Sequence, residues 1–263
     1  MRSGTMLASV ALLSLVGGHV GAQAPKPDSA KPAARKAQAP MLPRAPAPPK
    51  TLPRDELQRM HMHENFDLLR AIERLLIVGK LEDAKRFAAA ISEAPDAPAH
   101  GPWAAHVVAV RDQAAALARA TTVDEALKLE ASLAAACASC HLETGVAPEF
   151  RVFPEPPDAP TVEARMLRHR WAADRMWEGI MGGADEPWRA GLDVLASAPL
   201  DWGPSSADRT AHARNLQRLA SQARTQKHAT TKTRATAYGE ILTTCAACHT
   251  AQPAARAGSV PRR

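Results

Sequence analysis

Every cysteine of the chain falls in one of two C-x-x-C-H pentapeptides, Cys137-Ala138-Ser139-Cys140-His141 and Cys245-Ala246-Ala247-Cys248-His249, set 108 positions apart. On a helix, positions i, i+3 and i+4 share one face, so each pentapeptide presents two thiols and an imidazole together. That set suits covalent attachment of haem c: the thiols add to the two vinyl groups of one porphyrin, and the imidazole reaches the iron. A zinc site, a redox dithiol or a pair of disulfides would use the same thiols but leave the histidine after both pairs unexplained. Zinc pairs also sit on tight turns about 15 to 20 residues apart, whereas these are embedded in Ala-rich helical sequence. The motifs therefore predict two haem c groups. Cys137 and Cys140 hold the first with His141 on its iron, and Cys245 and Cys248 hold the second with His249 on its iron.

Beyond Pro53 the chain is rich in Ala and Leu with a period near 3.6 and has no useful alternating strand pattern, so it reads as all-α. Helices are expected near 55–79, 81–94, 102–119 and 123–142, then near 161–182, 185–197, 206–226 and 231–250. Gly79 stops the first helix, Pro95 and Pro98 separate the second from the third, and Thr122-Val123-Asp124-Glu125 is a capping box for the fourth. The second set repeats the first. Pro199 and Pro204 stand where Pro95 and Pro102 stood, Ile91-Ser92-Glu93-Ala94-Pro95 matches Leu195-Ala196-Ser197-Ala198-Pro199, Gly79 matches Gly183, and a pentapeptide closes each copy. Short connections make consecutive helices antiparallel neighbours, which predicts two consecutive four-helix bundles over 54–150 and 161–251. Arg151 to Pro160, with four prolines, reads as the hinge between them.

The ends carry other signals. Arg2, the apolar run from Thr5 to Val16 and the small-residue site Val20-Gly21-Ala22 predict a signal peptide over 1–22. The run is too short for a spanning helix, which needs about 20 residues, and no other long apolar run exists. The expectation is thus an exported, periplasmic protein without a transmembrane segment. Residues 23–53 hold nine prolines with Ala and Lys and read as a disordered tether. The tether, Arg2 and the basic tail over 252–263 carry +9 of charge against +6 for the whole chain, so the body carries −3. With the basic charge at the ends, no nucleic-acid surface is expected in the folded region.

A four-helix bundle with C-x-x-C-H near the end of its last helix resembles the class II c-type cytochromes, the cytochrome c-prime group, here in tandem over residues 55–250. The resemblance rests on Cys137, Cys140, His141, Cys245, Cys248 and His249 within that architecture. In each last helix the haem residues continue an apolar stripe, Leu129 and Leu133 in the first and Tyr238, Ile241 and Leu242 in the second. The second copy also gathers Trp171, Trp177, Trp188 and Trp202, of which some are candidates to pack on a porphyrin.

In an antiparallel bundle the end of the fourth helix lies beside the start of the first, so a distal iron ligand is expected from there. Matching Gly79 with Gly183 keeps the apolar face in register, Leu69 with Ala173, Ile72 with Met176 and Leu76 with Ile180, and pairs Met62 with Met166. A thioether is a soft haem ligand that raises reduction potential, so Met62 and Met166 are the expected distal ligands. Met60, His63 and His169 are rivals, and Asn65 matches His169. The function expected is electron transfer with redox protein partners, without a separate catalytic residue set. Five-coordinate irons would instead suit a small gas ligand, nitric oxide or carbon monoxide, and one open with one ligated haem a peroxidase-like enzyme.

Overall fold

A computed structural model describes residues 54–94, 103–146, 148–200, 207–226 and 228–251. The signal peptide, the tether and the tail lie outside the described residues, as does Trp202. The described chain is all-α, with helices α1 (Arg54–Ile77), α2 (Leu81–Ser92), α3 (Ala104–Ala118), α4 (Val123–Thr144), α5 (Val162–Met181), α6 (Asp185–Ala196), α7 (Ala207–Arg224) and α8 (Thr231–Thr250). Each agrees with its expected span to within a few residues at either end, and none is long and apolar enough to cross a membrane.

Local chemistry sets the boundaries. Thr122 caps α4 by accepting from Glu125 N at 3.1 Å, while the Glu125 carboxylate accepts from Thr121 N at 2.8 Å. Thr161 and Thr230 cap α5 and α8 in the same way, each accepting at 3.2 Å from the backbone three residues on. Gly79 and Gly183, matched in the sequence, both follow their helices at positive φ, 76° and 63°.

Within each half, consecutive helices pack side by side. The halves are joined by α4 against α8, a pair nearly as extensive as α5 against α6 and more so than any other consecutive pair. Gly239 makes this possible: a Cβ there would stand 3.2 Å from Lys128 Cα and 3.4 Å from Ala131 Cβ, so the two backbones approach closely. Leu142, at the end of α4, lies against Gly183 beyond α5, and Arg234, near the start of α8, donates to Gly179 O at 2.7 Å. The end of α4 and the start of α8 therefore share one pole, and the two helices run antiparallel. Buried residues from all eight helices form one core cluster, in which Ile72, Leu76, Met176 and Ile180 are fully buried.

The proline-rich connection is tied down along α5. Trp171 Nε1 donates to Phe153 O at 2.8 Å, Arg168 pairs with Glu155 at 2.5 Å and with Asp158 at 3.2 Å, and Phe150 packs on Phe66 of α1.

Glycine also sets the distance between α5 and α6. A Cβ on Gly191 would meet Ala172 O at 2.4 Å and Met176 Cγ at 2.6 Å, and because one of these is backbone the helices must part to accept it. Gly191→Ala should cost about 1–3 kcal/mol, the usual penalty of overpacking. Denaturant unfolding checks this beside Gly145→Ala, where no atom of the described residues lies within 4 Å of the added Cβ and the left-handed backbone, worth roughly 1–2 kcal/mol, opposes the change.

Candidate functional site

Both pentapeptides end their helices, and the antiparallel seam sends them to opposite poles. Gly239 beside Lys128 and Ala131 sets the register, so Cys137 and Cys245 stand about 20 Å apart along the axes at 1.5 Å per residue. The four thiols cannot pool into one site. All are free and half-buried, and among the described residues no three His, Cys, Asp or Glu side chains converge as a metal site would require.

Burial governs their chemistry. It pushes the Cys137 thiol up to about 12, with Cys140 adding to the shift, and Cys245 to about 12, with Glu73 adding next. Burial also raises Cys140 and Cys248. Burial thus disfavours the thiolate at each pole, the reverse of a redox dithiol, which needs a stabilised thiolate.

The two histidines meet different surroundings. His141 is half-buried with Nδ1 lacking a hydrogen-bond partner; burial lowers its pKa, and the backbone of Met181, at the end of α5, partly offsets this. His249 is exposed, and partial burial of its ring lowers its pKa. It lies near His169, whose pKa falls to about 4, first through burial and then through His249, Arg168 and Arg165. The end of α8 thus meets the first half of α5, as antiparallel packing within a copy requires. Met166 stands one turn before His169, is half-buried and shares its helix face. A cavity of about 150 Å³ beside them is lined by Arg165, Arg168, His169, Val194 and Pro199.

At the other pole His141 meets the Met181 backbone of the opposite half and the start of its own α1. Phe66 packs on Trp177 with ring centroids 6.1 Å apart, and Arg70 pairs with Asp174, so α1 and α5 run antiparallel. Met62 stands one turn before Phe66 and Met181 one turn after Trp177, which sets the half-buried Met62 at the pole of His141. Met60 is 42 % exposed and His63 is exposed. Of the aromatic cluster, Trp177 and Tyr238 lie in the central core with rings 6.5 Å apart, and Trp188 is buried against Gly179.

Between the two motifs lies a buried polar group that the sequence reading passed over. Glu73 accepts from Arg70 and from the Tyr238 hydroxyl, each at 2.8 Å, and Arg70 also sits 5.7 Å over the Trp177 ring. Glu130, fully buried, has neither carboxyl oxygen hydrogen-bonded. A signal existed: Glu130 interrupts the buried run of Ala126, Leu127, Ala131 and Ala134 on α4.

The donor set at each pole, two free thiols and an imidazole presented by one helix end, fits haem c. No protein-family model, curated protein or solved structure matches the chain.

Proposed function

We propose that this chain is an exported dihaem c-type cytochrome of electron transfer, with one covalent haem at each pentapeptide and redox proteins of the periplasm as its partners. The halves are two copies of a cytochrome c-prime-like four-helix bundle that share the α4–α8 seam. The observation that carries this reading is the presentation of two free thiols and an imidazole by the last helix of each half, at two separated poles. Each thiol would hold the porphyrin as a thioether, its S–H adding across a vinyl double bond, sulfur to one carbon and hydrogen to the other, with no net oxidation. Haem iron supplies the one-electron chemistry, and the chain supplies axial ligation, burial and position. His141 and His249 would hold the two irons from the pentapeptides, and Met62 and Met166 would be their second protein ligands.

Absorption spectra of the ferric and ferrous protein test the coordination. Two low-spin haems are expected. Met62→Ala should turn only the first high-spin, lower its potential and open it to carbon monoxide, because the lost thioether stabilised ferrous iron; Met166→Ala should do the same to the second. Carbon monoxide binding by the unmutated protein at both haems without displacement of a ligand would replace electron transfer with gas binding. One high-spin haem would point to a peroxidase-like enzyme.

A further inference from the structure

We propose that Glu130 is a redox-linked proton acceptor: its core carboxyl takes up a proton when the first haem is reduced and gives it back on oxidation. The inference rests on the dihaem reading. Glu130 stands on the same helix as the first pentapeptide, seven residues and thus about 10 Å before Cys137. It is 0 % exposed, and neither oxygen has a hydrogen-bond partner. An ionised carboxylate so placed is costly unless a positive charge lies nearby. The ferric centre offers that charge, and the ferrous centre withdraws it.

The charged groups around Glu130 sharpen the argument. From α1 come Glu73, which opposes ionisation, and Arg70, which favours it but is engaged by Glu73 and Asp174. From α8 comes Tyr238, whose hydroxyl donates to Glu73 rather than to Glu130. Cys137 is the other titratable group on its own helix that feels it. The charges of α3 are engaged elsewhere: His106 pairs with Glu143 at 3.3 Å, Arg111 bonds the Ala94 carbonyl, and Asp112 and Arg119 are exposed. Burial first, and Glu73 second, raise the Glu130 pKa well above the ordinary carboxylate range. Burial and Glu73 together thus hold the proton on Glu130 more tightly than on an ordinary carboxyl, and a nearby positive charge works against them.

The step balances as one electron and one proton. The electron reaches the iron from a donor redox protein, or from an electrode in the test. The proton comes from solvent to the carboxylate, and oxidation returns both. Between the proton affinities of the oxidised and reduced forms, each pH unit shifts the reduction equilibrium up to tenfold, about 59 mV for one electron, towards lower potential as pH rises. Outside that window the potential is flat.

The experiment is spectroelectrochemical titration of the holoprotein against pH, with redox-difference infrared spectra, for the unmutated chain and Glu130→Gln. The haem is assigned in a chain carrying Cys245→Ala and Cys248→Ala. The expected result is a sloping potential at the first haem, a carboxylic-acid carbonyl band that grows on reduction, and loss of both in Glu130→Gln. Flat potentials at both haems, a slope that survives the substitution, or a slope confined to the second haem would overturn the inference, even with two haems present. Haem-free protein would instead overturn the functional reading, and this inference with it.

Unfolding against pH gives a readout that needs no redox chemistry. A raised folded-state pKa means the native protein binds the proton more tightly than the unfolded chain, so its contribution is complete below the unfolded value and is lost as pH rises towards the folded one. Glu130→Gln should then be more stable than the unmutated protein at neutral pH and no more stable at acid pH. An equal difference at both would count against a buried, titrating acid.

Discussion

Replacing Cys137 and Cys140 together by alanine should leave a chain with a single haem, held by Cys245 and Cys248, and halve the pyridine haemochrome signal per chain. On the dihaem reading attachment at each pole would use thiols of one helix end, and the two sets of thiols stand about 20 Å apart along the seam, so neither haem would draw on the other's cysteines. The reciprocal pair, Cys245→Ala with Cys248→Ala, should leave the other haem. Because α4 and α8 share a core, each variant should also melt at a lower temperature than the dihaem protein, yet keep its remaining haem. Loss of both haems from either variant would show attachment to be coupled across the seam. Stoichiometric zinc without acid-resistant haem, in protein matured in its native compartment, would remove the cytochrome reading altogether.

What was legible in the sequence was local. Helix limits follow from periodicity, from Thr122 as a cap, and from Gly79 and Gly183 as left-handed stops, all of which act within one turn. The match of Leu69, Ile72 and Leu76 to Ala173, Met176 and Ile180 was also visible, since a buried stripe must keep its period. The antiparallel α4–α8 seam was not. It depends on Gly239 meeting Ala131, a contact between residues more than a hundred positions apart, and a glycine inside an Ala-rich helix looks the same whether or not another backbone crosses it. The polar centre escaped for a related reason. Glu73, Glu130 and Tyr238 lie on three helices, and only their convergence makes each of them unusual. The sequence placed His141 beside the start of its own first helix. In the structure Met62 of that helix reaches the same pole through the register of Phe66 on Trp177, and the Met181 backbone of the other half, which the sequence did not point to, is a further neighbour.

The polar centre should be the part of the core most sensitive to a single change, and Arg70→Met is the change that exposes it. Arg70 answers Glu73 at 2.8 Å, with side chains only 14 % and 4 % exposed, and it reaches Asp174 on α5 as well. Methionine keeps much of the arginine stem's apolar packing, so the loss isolates the guanidinium with its ion pairs and its place over the Trp177 ring. What remains is a buried carboxylate facing a second buried carboxyl, Glu130, with the Tyr238 hydroxyl as its remaining donor among the described residues. Breaking a buried pair from one side costs about 3–5 kcal/mol, a large part of the roughly 5–15 kcal/mol that holds a domain together. Chemical denaturation should find that loss. The double substitution, Arg70→Met with Glu73→Leu, should recover a good share of it, because the charge that then loses its partner, Asp174, is 41 % exposed and reaches water, and the buried penalty falls to that of an unsatisfied Tyr238 hydroxyl, about 1–3 kcal/mol. Additive losses in the double variant would mean that Arg70 and Glu73 act independently, and that the interior charge is screened by water rather than held by this pair.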